Sequence, residues 1–361
     1  SIAVVMWVER ESQNFWVINA EEVSGHAAAF YRALSDRPWI LESPEEADEA
    51  FVEAGSWLYK NLIEPGLVSK PRKRELMVNA DGLLQLFPWG VLPVEIPDTR
   101  PVDYRSVVYL SDHADVSSVW TSSMAKGQVA EGEKFGIWFF SSNEGLQSGK
   151  HEAHRLQRIT GGQLSEGAVC TETSFKNSAG DFDILHIVAH GKRHEADEEF
   201  SLYFNDDEAN DGYLTIGEIG ALRLHAKMTT LSACETGSGE ILAGESVYSL
   251  ASGFAMAGCP AVVMSNWKVS DQATSNLMVD FYRGLFKGLS KSASLGQAQR
   301  KYLNEQEDAL LCHPYFWASF TVVGDASPIR SGGNFWIWVW SVVGLSMALL
   351  ILHFILRKSH K

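Results

Sequence analysis

Cysteine is scarce: there are four in 361 residues, Cys170, Cys234, Cys259 and Cys312, and no two form a CxxC pair. That excludes a disulfide scaffold or a zinc finger and leaves only the chemistry of a single thiol. Basic charge is also in deficit, with 30 Lys and Arg against 45 Asp and Glu, a net −15. Three of those bases (Arg357, Lys358 and Lys361) lie in the last five positions and no acid follows Asp325, so residues 1–334 hold 27 bases against 45 acids, or −18. A body that acidic repels phosphate backbones, which argues against nucleic acid as a partner. No Walker-type phosphate loop, no GxSxG elbow and no internal repeat is present. A mainly disordered chain is excluded by the 45% of apolar residues. The length suits one large domain or two ordinary ones.

One run lacks charge altogether. Phe335 to Leu356 is 22 residues without Asp, Glu, Lys or Arg. At about 1.5 Å per residue a helix of that length crosses a hydrocarbon core of about 30 Å. Trp336, Trp338 and Trp340 fill its first turns as an aromatic belt would, and Arg357-Lys358 close it. The expectation is a transmembrane helix over 335–356, preceded by a linker at 326–334 and followed by a basic tail at 357–361. At the other end the chain opens at Ser1 and reads as a strand from residue 2. The expectation is that either a longer N-terminal part was removed or the sequence is a fragment.

Between the ends, 2–8 and 14–19 read as a hairpin, followed by helices over 21–35 and 44–63. Strand-like runs then fall at 75–79, 106–110, 135–140, 182–189, 228–233, 260–265 and 318–323. Helical patterns fall at 114–124, 149–160, 215–222, 244–257 and 271–287. Near-continuous apolar strands separated by helices predict an α/β fold with a mostly parallel sheet covered on both faces. Glu195 to Asp211, with eight acids and no base, reads as exposed loop around a short strand.

Two apolar runs end in reactive side chains. His186-Ile-Val-Ala-His190-Gly191 stops at a histidine before glycine, and Leu231-Ser-Ala-Cys234-Glu-Thr-Gly237 stops at a cysteine. In an open parallel sheet, ligands and reactive groups gather at the carboxyl ends of strands. A Cys and a His so placed form a nucleophile and its proton partner: the thiolate attacks a carbonyl and the imidazolium protonates the leaving amine. Gly191 lets its N–H approach the substrate, and with the N–H of Cys234 it supplies an oxyanion hole. The plainer alternatives are a small buried cysteine and a structurally satisfied histidine. His186, His190 and His194 lie four apart, but on a strand they stand too far apart to share a zinc ion. His151-Glu152-Ala153-His154 is one residue short of HExxH and reads as a surface helix start. No metal or cofactor is expected. Cys259 reads as core, and Cys170 and Cys312 have no catalytic context.

HIVAHG, LSACETG, AGESVYSLASGFAMAGCPAVVMSNWKVSDQAT and LMVDFYRGLFKG together resemble the CHAT family of caspase-like cysteine peptidases. ELMVNADGLLQLFPWGVL, the helix at His151–Leu156 and the opening hairpin resemble its upstream parts, so the likeness covers 1–325. The resemblance implies a caspase-like three-layer α/β/α sandwich, shared with separases and legumains. It also implies His190 and Cys234 as a catalytic dyad with Gly191 assisting the oxyanion, and a tetratricopeptide-repeat region or regulatory partner. Ser232, two before the cysteine, departs from relatives with an acid there. Asp271 lies where separases place an acidic pocket residue, although Ser270-Asp271 equally opens the following helix as an N-cap pair. Asp271, Glu235 and Ser232 are thus the substrate-pocket candidates.

The function expected is a membrane-anchored cysteine endopeptidase acting on a protein substrate. The alternative is a catalytically silent, membrane-tethered signalling or scaffold domain. A free thiol suits a reducing cytosol, which favours a tail anchor. The basic tail by the positive-inside bias favours an extracytoplasmic catalytic domain, and this is the orientation preferred.

Overall fold

The computed structural model describes residues 2–8, 13–67, 74–119, 134–139, 147–193, 200–232, 250–267, 269 and 271–329. The proposed span at 335–356, its linker from residue 330 and its basic tail lie outside them. Among the described residues, no helix is long and apolar enough to cross a membrane.

The chain opens with β1 (Ile2–Val8) and β2 (Gln13–Asn19), paired antiparallel with Val4 opposite Val17 and Met6 opposite Phe15. The Asn19 side chain accepts the Glu21 N–H and so caps α1 (Ala20–Ser35). Helix α2 (Arg37–Glu42) follows, then α3 (Pro44–Leu58), which starts on proline and continues as a π-helical turn over Tyr59–Ile63. Phe30 and Phe51 stack at 5.3 Å between α1 and α3. Asp48 of α3 is buried, yet it is satisfied by the Val102 N–H at 2.9 Å and the Tyr104 hydroxyl at 2.6 Å.

The remaining elements are, in order, β3 (Arg74–Val78), β4 (Pro93–Glu95), β5 (Val108–Tyr109), α4 (Leu110–His113), β6 (Ala114–Ser118), β7 (Phe135–Phe139), α5 (Gln147–Thr160) and β8 (Gln163–Glu166). Then come α6 (Glu172–Ser178), β9 (Ile184–Val188), β10 (His190–Arg193), β11 (Phe200–Tyr203), β12 (Tyr213–Leu214), α7 (Ile216–Ala221) and β13 (Met228–Ser232). After α8, described over 250–256, the chain ends in β14 (Ala261–Ser265), α9 (Asp271–Phe286), α10 (Lys291–Glu305) and β15 (Phe320–Gly324).

Eight strands form one sheet in the order β3-β6-β15-β14-β13-β9-β7-β8. Every pairing is parallel except β14 with β15, so the sheet is two parallel blocks of opposite sense joined at that seam. Alternation along β9 shows why both faces must be covered. Ile184 and Val188 join the core built by α1, α3, α5, α9 and α10, while Leu185 and Ile187 join the core built by α6, α7 and α8. Helices thus lie on both faces of a mixed, mostly parallel sheet.

Two expectations are corrected. The helix read over 114–124 is the strand β6 at 114–118, held between β3 and β15; the helical turn lies earlier, at α4. The Asp112 carboxylate accepts the Tyr109 N–H at 2.8 Å and fixes where that turn starts. The strand read over 106–110 is only Val108–Tyr109, and it pairs with β4 outside the main sheet. Strand β8 and helix α10 add to the elements expected.

The core also holds a histidine that the fold keeps neutral. His313 is buried; its Nδ1 accepts the Tyr315 N–H at 3.1 Å, and the ring meets Tyr104 at 4.8 Å. Burial pushes its pKa down from 6.5 to about 3. As pH falls below 6.5 the unfolded chain takes up a proton that the folded chain refuses, so stability declines from pH 6.5 towards pH 3. Between pH 6.5 and 5 this group alone costs about 2 kcal/mol. His313→Gln is expected to flatten that decline, read as a smaller drop in Tm between pH 7 and 5; an unchanged drop would contradict the assignment.

Candidate active site

Strands β9 and β13 are neighbours, parallel, with Val188 opposite Ser232 and Thr230 opposite His186. Their carboxyl ends therefore leave the sheet side by side. Two residues beyond Val188, His190 opens β10, which turns away to pair with β11, His190 opposite Tyr203 and Gly191 opposite Leu202. Gly191 is buried. The backbone at His190 is thereby held from two sides, by β9 before it and by β11 across from it.

Cys234 stands two residues beyond Ser232 in the sequence. Cys234 and Glu235 lie outside the described residues, as do the side chains of His190 and Asp271. Asp271 is the first residue of α9. Ser232 is buried at the end of β13, and its Oγ has no hydrogen-bond partner among the described residues.

Directly behind these strand ends runs a buried polar chain. The Nε2 of His186 stands 2.9 Å from Glu152 Oε1 on α5, at ion-pair distance but off a hydrogen-bond line. Its Nδ1 lies 3.1 Å from the Tyr282 hydroxyl on α9, which lies 2.8 Å from Thr230 Oγ1 on β13. All four side chains are buried. One order of protons is consistent along the chain: Thr230 donates to Tyr282, Tyr282 donates to His186 Nδ1, and the one N–H of His186, on Nε2, faces Glu152. Desolvation raises the Tyr282 pKa strongly, so this hydroxyl keeps its proton. The chain ties β9 and β13, the strands that lead to His190 and Cys234, to α5 and α9. Sequence reasoning passed over it: Glu152 stood in a motif set aside as a surface helix start, and His186 was weighed only as a metal ligand. Among the described residues, no group of three or more His, Cys, Asp and Glu could hold a metal ion.

The other thiols are poor nucleophiles. Cys170, Cys259 and Cys312 are free and buried, and burial raises the pKa of each, that of Cys170 to about 12. At neutral pH they are held as thiols rather than the reactive thiolate.

Comparison with known proteins finds relatives in sequence and neighbours in structure. A family model described as the CHAT domain matches residues 52–325. Tetratricopeptide repeat protein 28 of Homo sapiens is 23% identical over 353 residues, covering 82% of this chain and 14% of that protein. Its Mus musculus counterpart is 29% identical over 140 residues, covering 39% of this chain and 5% of that protein. The chain therefore spans a small fraction of the length of these curated relatives. Among solved structures, Saccharomyces cerevisiae separase in its complex with securin aligns over 85% of this chain and 22% of that one, with a TM-score of 0.48 and 13% identity. The Arg-specific cysteine proteinase gingipain R aligns over 86% and 76%, with a TM-score of 0.44 and 9% identity.

Proposed function

The chain belongs to the CHAT domain family, and on that premise we propose that it is a membrane-anchored cysteine endopeptidase with His190 and Cys234 as its dyad. The observation that carries this reading is the pairing of β9 with β13, Val188 opposite Ser232. His190 and Cys234 each follow two residues beyond one member of that registered pair. In the proposed reaction the Cys234 thiolate attacks the scissile carbonyl carbon and the carbonyl electrons move onto oxygen. The N–H groups of Gly191 and Cys234 stabilise that oxyanion. As the C–N bond breaks, His190 gives its proton to the leaving amine; water, activated by the now neutral imidazole, then hydrolyses the thioester. The chemistry calls for no metal or cofactor.

Substrate choice in this reading rests on Ser232, Glu235 and Asp271. The two acids favour a basic residue on the acyl side of the scissile bond, and the unpaired Ser232 hydroxyl offers it a neutral hydrogen bond. Profiling on a combinatorial peptide library is expected to show cleavage after Lys or Arg. Asp271→Ala is expected to lower kcat/KM on those peptides by about 10- to 100-fold, the worth of one hydrogen bond to a charged group. An unchanged preference in that variant would remove Asp271 from the pocket.

Residues 335–356 are proposed as the anchor, with the basic tail in the cytoplasm and the catalytic domain outside. Protease added to intact cells or spheroplasts should then digest the domain, and full protection would reverse the orientation. The curated relatives are named for tetratricopeptide repeats, which supports control of the peptidase by a repeat region or another regulatory partner.

A further inference from the structure

The opening hairpin is apolar on both faces, and among the described residues only one of them is covered. On the inner face, Ala3, Val5 and Ile18 pack on the core, the Trp7 ring lies against Gly66, and Trp16 Nε1 donates to the Asn61 carbonyl at 2.8 Å. These contacts fix the ribbon to the body, and strand period two then forces the alternate residues outward. The outward set is Ile2, Val4, Met6 and Val8 from β1 with Phe15 and Val17 from β2, each 58–75% exposed. The register makes this one continuous strip, Val4 beside Val17 and Met6 beside Phe15, with only the amides Asn19 and Gln13 at two of its corners. No charged side chain stands in it, on a chain of net −15. Contiguous apolar surface of this kind marks an interaction site rather than ordinary surface.

We propose that this face is where two copies of the chain dock, hairpin on hairpin. The strip is self-complementary under a two-fold axis lying in the plane of the ribbon and across its strands. That operation lays Ile2 over Val8 of the second copy, Val4 over Met6 and Phe15 over Val17, while Asn19 meets Gln13, so that apolar groups cover apolar groups and amides cover amides. Two ribbons stacked this way sit about 10 Å apart, the ordinary spacing of packed sheets. The six side chains offer on the order of 600 Å² of apolar surface per copy, close to the ~800 Å² per partner of a standard interface. A charged peptide or a phosphate backbone finds no complementary group here. The absence of charge also lets two acidic bodies meet where neither presents an acid.

Sedimentation equilibrium of the full 361-residue chain in detergent, from 1 to 100 µM, tests the proposal directly. The wild type is expected to dimerise within that range. The double variant Val4→Glu/Val17→Glu is expected to weaken association at least 100-fold. Val4→Thr/Val17→Thr, which keeps β-branched strand formers and so protects the fold, is expected to weaken it about tenfold at an unchanged Tm. A wild type that stays monomeric to 100 µM overturns the proposal, as does a dimer that both variants leave intact. So does a monomer whose hairpin face is shielded from Met6 oxidation only when a tetratricopeptide-repeat array is added, which would make that array the occupant. None of these outcomes depends on the peptidase reading, because no catalytic residue is altered.

Discussion

Cys234→Ala is expected to abolish peptide-bond cleavage, with kcat falling by about 10⁴-fold or more while circular dichroism and Tm stay at wild-type values. His190→Ala is expected to come close to the same loss, and the double variant to be little worse than either single one. Residues that act as one unit in catalysis lose nearly everything with the first replacement. The expectation follows from the pairing of β9 and β13, which sets Val188 opposite Ser232, two residues before His190 and Cys234 in the sequence. The background from other thiols is small, because Cys170, Cys259 and Cys312 are buried and their pKa values are raised. Additive losses from the two single variants would mean that Cys234 and His190 do not work together.

The second large effect lies behind the site. His186→Ala is expected to destabilise the fold by about 3–5 kcal/mol, because it opens a cavity in the core and leaves the buried Glu152 side chain and Tyr282 hydroxyl without the ring they face. Tyr282→Phe, which removes one hydroxyl that bridges His186 and Thr230, is expected to cost only about 1–2 kcal/mol. The decisive comparison is Glu152→Met/His186→Leu. Removing both partners in favour of apolar groups of similar volume is expected to restore most of what His186→Ala loses. Urea titrations of the three variants would rank them. A double variant no more stable than His186→Ala would mean that the pair contributes packing rather than polar contact. On the proposed function the same network acts on the chemistry through position. Since it locks β13 to β9 and to α9, Tyr282→Phe is expected to lower kcat while leaving KM near the wild-type value.

Much of this architecture could be read from the chain because burial on both sides writes itself as unbroken apolar runs. Strands β7, β9, β13, β14 and β15 are buried throughout. The buried stripe of α9 shows as Ala273, Leu277, Met278, Phe281 and Leu285 at helical spacing. Where burial falls on polar side chains the pattern disappears. Helix α10 hides Lys291, Ser292, Ser294 and Gln299. The Lys291 ammonium is held by Asp325 at 3.1 Å and the Ser327 carbonyl at 2.9 Å, and Gln299 donates to the Phe320 carbonyl at 3.2 Å. Its apolar stripe, Leu295, Ala298, Tyr302 and Leu303, is thin beside these buried polar groups and announces the helix only weakly. Strand β6 failed for a related reason. Its Ser117 and Ser118 are buried by strands on either side, and neither looks apolar in sequence. At the site, the two strand-end motifs stand out because a histidine or cysteine interrupts an apolar run. Their support does not, since Glu152, His186, Thr230 and Tyr282 come from four elements and meet only once the sheet and its helices are assembled.

The central claim is that one thiol, Cys234, is activated by His190, and covalent labelling tests it most directly. The full chain in detergent, with any regulatory partner supplied, would be treated at neutral pH with an electrophilic peptide probe ending in Lys or Arg, and the adduct mapped by mass spectrometry. The account predicts a single adduct on Cys234, lost in His190→Ala, with Cys170, Cys259 and Cys312 unlabelled until the protein is unfolded. An unlabelled Cys234, or one that labels equally well without His190, would contradict the claim and leave a domain of this family that binds without cutting.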